Sequence, residues 1–150
     1  MSISQKTAWI QLVIFTLLLA GWAVLFVING TIFFWEDAGM KDTFYYSCAG
    51  AFAIMFGLNL TVSLATRGRN ALNDERDRAI FRTASFRAAV ITLVLVLVAL
   101  LALTIVYMEQ DVAGISVYFP LFIVLAAAAV MMFVQACASV ILYGKAVHYG

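Results

Sequence analysis

The stretch AAVITLVLVLVALLALTIVYM, residues 88–108, decides the fold. It contains no Asp, Glu, Lys or Arg. At a rise of 1.5 Å per residue, a helix of that length covers about 30 Å, the thickness of a bilayer's hydrocarbon core. Leu and Val occupy every face, so no side is left for water. Spanning strands would alternate apolar and polar residues, and this stretch does not. In lipid each backbone amide must find its partner within the segment, and a single uninterrupted apolar segment achieves this as an α-helix.

Three more uncharged runs lie to either side, at Thr7–Trp35, Thr43–Thr66 and Val112–Gly144. The expected spans are near 9–32, 44–66, 84–107 and 117–142. Composition agrees with this reading. The chain of 150 residues is 65% hydrophobic and 11% charged, with a mean hydropathy of +1.04. A soluble domain is about half apolar and about a quarter charged. The expected fold is therefore all-α, a four-helix transmembrane bundle in up-down order, forming a single membrane domain over residues 1–150. The first run is longer than the apolar region of a signal peptide, about 7–15 residues, and Lys6 makes only a weak basic start. It reads as a retained span. No internal repeat of the inverted-transporter kind is visible.

The loops set the orientation. Eight of the nine basic residues fall on one side: Lys6, Arg67, Arg69, Arg76, Arg78, Arg82, Arg87 and Lys145. Glu36, Asp37, Asp42, Glu109 and Asp111 fall on the other, with Lys41. The positive-inside rule places both termini and the long loop in the cytoplasm. Trp35, Phe44, Tyr45, Tyr46, Tyr107 and Tyr118 are expected to form an outer interfacial belt, and Trp9, Tyr143 and Tyr149 an inner one. Trp22, near mid-span, reads as a packing residue. The net charge of +1 gives no bulk attraction to nucleic acid, which is not expected as a partner.

The segment Arg67–Arg87 is the only sizeable polar one. Asn73 suits a helix N-cap. Asp74, Glu75 and Asp77 then occupy the first turn, where the helix dipole favours negative charge. Asp74 and Glu75 lie within pairing distance of Arg78, at i,i+4 and i,i+3. The helix is expected to run on into span three without a break. The ordinary reading of Asp74, Glu75, Arg76, Asp77, Arg78, Arg82 and Arg87 is a juxtamembrane helix start with positive-inside arginines. The sharper reading is a docking or lipid-headgroup motif, because guanidinium groups bind phosphate and are attracted to anionic leaflets.

The run Asn-Asp-Glu-Arg-Asp-Arg-Ala-Ile at 73–80, directly before a span, resembles a family of uncharacterised small bacterial membrane proteins. That family carries an Asp-Glu-Arg-Asp-x-x-Ile signature between the second and third of four helices. Asp74, Glu75, Arg76, Asp77 and Ile80 are the matching positions, and the rest of the chain matches in hydropathy and order. The resemblance implies the four-helix fold and a multi-pass protein of the bacterial inner membrane. It implies no mechanism.

The spans hold few polar groups. Asn59 lies seven residues before Arg67 and Gln135 ten before Lys145, so their depths differ by only about 5 Å. An intramembrane hydrogen bond between them is the first reading and a polar cavity lining the second. Gln11 is expected simply to reach water. The four runs contain no carboxylate, which argues against a proton-coupled exporter. His148 is the only histidine, and no haem or metal spacing occurs. Cys48 and Cys137 are expected to lie too far apart in depth to bond. No catalytic residue, metal or cofactor is expected.

Small residues nominate packing faces. Ala49, Ala53 and Gly57 recur every four residues on span two, and Ala129 and Ala136 lie on one face of span four, with Ala128, Gln135 and Ala138 beside it. The expectation drawn from them is that span two sits at the centre of the bundle and meets span four through Ala49, Ala53, Gly57 and Asn59. Span three, bulky throughout, is expected to face lipid more than the others. The first functional reading is a non-enzymatic accessory, regulatory or structural membrane protein. The alternative is an oligomeric small-molecule transporter or channel, and a membrane enzyme or redox subunit comes third. The partners expected are the bilayer, with anionic headgroups near the arginines, and a second copy or another membrane protein.

Overall fold

The computed structural model describes residues 3–29, 38–65, 75–109 and 118–147. These form four helices: α1 (Ile3–Asn29), α2 (Ala38–Ala65), α3 (Glu75–Glu109) and α4 (Tyr118–Val147). All four are long and apolar enough to cross a membrane, and no strand occurs among the described residues. The fold is all-α, as the uncharged runs require. α3 is 35 residues long, or about 50 Å, well beyond the ~30 Å hydrocarbon core. Its early turns therefore carry charge, while residues 88–108 carry none. The helix passes from one regime to the other unbroken. Asn73 and Asp74, expected to cap it, lie outside the described residues.

The helices alternate in direction. Trp22 of α1 stacks on Phe44 of α2 at 4.3 Å between ring centroids, and Phe15 meets Phe52 edge-on at 5.4 Å. Going back along α1 thus means going forward along α2. Ser85, early in α3, bonds Gln135, late in α4, whereas Leu103 lies beside Phe122 and Ile123 further along. That pair is antiparallel too.

α4 is the central helix, packed extensively against both α3 and α1, while α2 rests more lightly on α1. This corrects the expectation that α2 is central. Ala49 and Ala53 are exposed, and a Cβ built on Gly57 would meet nothing within 4 Å. The close approach uses other small residues: Ala129 and Ala136 on α4, with Ala84 and Ala88 on α3, are all buried to about 1% exposure or less. Such residues let backbones come together, and van der Waals contact between them drives association in lipid. α3 does show lipid-facing bulk, with Leu93, Val94, Leu97, Val98 and Leu101 all exposed.

Hydroxyls on outward faces bond to their own helix. Thr16 donates to the Leu12 carbonyl at 2.7 Å, Thr43 to Gly39 at 2.9 Å and Thr104 to Leu100 at 2.8 Å. In hydrocarbon this is the partner always within reach. Thr92 differs: its Oγ1 is buried with no hydrogen-bond partner among the described residues. It lies at one end of an apolar groove between α3 and α4, about 370 Å³, lined otherwise by Leu, Val, Ile, Ala and Phe.

The two ends of the bundle are filled differently. Phe15, Trp22, Phe44, Met55 and Phe119 form a packed aromatic cluster, which Phe44 extends to Phe122 of α4 at 5.0 Å. Trp22 is a packing residue, as its mid-span position suggested, and its Nε1 donates to Ser47 Oγ at 3.0 Å. Phe44 belongs to this core and not to an interfacial belt. Its ring is 3% exposed, whereas Tyr46, two positions on, is 76% exposed. Period 3.6 explains the difference, since residues two apart point to nearly opposite sides of a helix.

A polar cavity where all four helices meet

The opposite end holds a cavity of about 480 Å³ to which every helix contributes. α1 supplies Ser4, Thr7, Ala8 and Gln11, and α2 supplies Asn59 and Val62. α3 supplies Asp77, Arg78, Ile80 and Phe81, and α4 supplies Met132, Gln135, Ser139 and Tyr143. The alternation of direction is what gathers them. In an up-down bundle the starts of α1 and α3 lie beside the ends of α2 and α4, so four segments remote in sequence share one depth. The volume falls within the ~300–1,000 Å³ of ordinary ligand pockets.

The cavity is graded along its axis. Asp77 and Arg78 stand with Tyr143 at one end. Seven residues, or about 10 Å, further along α3 lies Ser85, whose Oγ accepts a hydrogen bond from Gln135 Nε2 at 2.9 Å. Gln11 Nε2 donates to the carbonyl oxygen of Met132 at 2.8 Å, tying α1 to α4. Each amide therefore has one donor fixed by a neighbouring helix, which holds the side chain in place. Gln135 and Ser139 are buried, so the lining reaches well inside the bundle. One helical turn deeper, Phe15, Met55 and Ala129 belong to the packed cluster, which closes the cavity on that side.

The two amides nominated from sequence both line this cavity, although no bond between them is formed: Gln135 turns to Ser85 on α3. Asn59 is exposed on the α2 surface and borders the cavity. Gln11 is held by an interhelical bond, where sequence suggested only contact with water. Of the charged motif, Asp77 and Arg78 line the cavity, and Arg82 and Arg87 are exposed outside it. Asp74 and the side chains of Glu75 and Arg76 lie outside the described residues, so the expected pairs with Arg78 do too. Ser85, Ser139, Ser4 and Thr7 were not singled out from sequence. Hydroxyls are common in membrane helices, and only Ser139, one turn from Gln135, carried a usable signal. Tyr143, read as an inner belt residue, is 9% exposed and turned inward.

Cys48 and Cys137 are both unpaired. Among the described residues no group of three or more His, Cys, Asp or Glu is placed to hold a metal ion. No family model, curated protein or solved structure matches this chain.

Proposed function

We propose that this chain is a non-enzymatic multi-pass protein of the bacterial inner membrane that acts as an accessory or regulatory component by holding a polar ligand in the four-helix cavity. Both termini and the cavity mouth face the cytoplasm. The orientation is supported by the eight basic residues on that side, and the bacterial setting by the resemblance at residues 73–80. One observation carries the choice between binding and transport: the polar lining ends one turn below a packed aromatic cluster. A solute path needs polar or wet lining from face to face, whereas this cavity has one polar end and one filled with Phe and Trp. The polar part of the lining, set among Ala8, Val62, Ile80, Phe81 and Met132, consists of amides, hydroxyls, a carboxylate and a guanidinium, groups that bind and orient.

The test is flux. Full-length protein reconstituted into sealed vesicles loaded with a small fluorescent anion, cation or amino acid should leak no faster than empty vesicles. Protein-dependent release of any of the three would overturn the binding reading and favour the oligomeric transporter or channel.

A further inference from the structure

We propose that the cavity takes a zwitterion carrying a phosphate and a primary ammonium a few bonds apart, with the phosphate on Arg78 and the ammonium on Asp77. This is the headgroup chemistry of phosphatidylethanolamine and equally of free phosphoethanolamine. The inference rests on reading the cavity as a binding site and names what binds.

The charge pattern decides it. Asp77 and Arg78 are adjacent on α3 and both line the cavity, and among the described residues every other lining side chain is uncharged at neutral pH. A lone anion drawn to Arg78 would meet the Asp77 carboxylate, and a lone cation drawn to Asp77 would meet the guanidinium. Like charges in close contact repel, by about 1 kcal/mol at 4 Å even in bulk water. A ligand with both signs in one small head satisfies both. Arg presents its donors in a planar fork that matches two phosphate oxygens. The Asp77 carboxylate only accepts hydrogen bonds, which suits an ammonium with N–H groups to give. A quaternary ammonium is recognised instead by an aromatic cage, and among the described residues only Phe81 and Tyr143 supply rings here.

The position agrees. Asp77 and Arg78 precede the uncharged stretch of α3 that begins at Ala88 by about ten residues, or ~15 Å, and so stand outside the hydrocarbon core, on the side where headgroups and cytoplasmic solutes are met.

Full-length protein is equilibrated in mixed micelles holding equal amounts of phosphatidylethanolamine, phosphatidylglycerol and phosphatidylcholine, and native mass spectrometry reads the lipid retained. Phosphatidylethanolamine should be retained about tenfold over either competitor, as the loss of one charge-assisted bond implies. Asp77→Asn and Arg78→Gln should each abolish the preference, while Asp42→Asn, exposed at the other end of the bundle, should keep it. Helix content by circular dichroism verifies that each variant folds. Competition on the unsubstituted protein needs no variant: free phosphoethanolamine should displace the bound lipid better than free glycerol phosphate does. Displacement at similar concentrations assigns the soluble zwitterion as a sufficient ligand. Retained phosphatidylethanolamine that neither free compound displaces assigns the lipid itself. Equal retention of the three lipids, a preference for phosphatidylglycerol, stronger displacement by glycerol phosphate, or an unchanged preference in both variants would overturn the proposal. Lost preference with sealed vesicles refutes the zwitterion and leaves the proposed function standing; flux with the preference intact does the reverse.

Discussion

Replacing Ala136 by Leu and, separately, Ala53 by Leu distinguishes the observed packing from the one the sequence suggests. Ala136 is 1% exposed on α4, the helix that touches both α1 and α3. A leucine there adds three carbon atoms where none fits without moving a helix. Overpacking of this kind costs about 1–3 kcal/mol. Each 1.4 kcal/mol is about a factor of ten, so the folded-to-unfolded ratio should fall by roughly five- to a hundred-and-fifty-fold. Ala53, exposed on α2, offers its leucine to lipid, and the change should stay within about 0.5 kcal/mol. Unfolding in mixed micelles by rising dodecyl sulfate, followed by tryptophan fluorescence, measures both. Trp22 reports well because it is buried against Phe44. A loss from Ala53→Leu as large as that from Ala136→Leu would refute the reasoning, because it would return the α2 stripe to a packed interface.

Thr92→Val removes a buried hydroxyl that has no partner and keeps the shape. Relief of its desolvation penalty should raise stability by up to about 1–3 kcal/mol in the same assay, and a loss would mean that the hydroxyl is in fact satisfied. Trp22→Phe keeps most of the stacking on Phe44 but drops the bond to Ser47, with an expected cost of about 1 kcal/mol. Ser47→Ala should cost a similar amount, and the double variant should cost less than the sum; strict additivity would show that the bond contributes nothing. A reporter fused after Gly150 should be active in the cytoplasm and one inserted near Gly39 should be exported, so export of the C-terminal fusion would reverse the orientation.

Residues 88–108 and the three runs like them determined, without any coordinates, that this chain is four membrane-crossing helices. The reason is that lipid offers no partner for a bare amide, and an uncharged run of about 20 residues has one way to satisfy itself. The unbroken passage from the charged start of α3 into its apolar part was legible as well, because nothing in the sequence there breaks a helix. Packing faces were not legible. In water the apolar stripe of a helix marks its buried side, but these spans are apolar all round, so Ala53 on α2 and Ala136 on α4 look alike in sequence although one meets lipid and the other meets a helix. Matched depth placed Asn59 and Gln135 at one level but could not choose partners, since depth constrains one coordinate and a hydrogen bond needs three. Ser85, on another helix, took the Gln135 donor. The cavity belongs wholly to the tertiary structure: it exists because antiparallel packing brings the starts of α1 and α3 beside the ends of α2 and α4, and thereby sets Asp77 and Arg78 over Gln11 and Gln135, each more than 50 residues away along the chain.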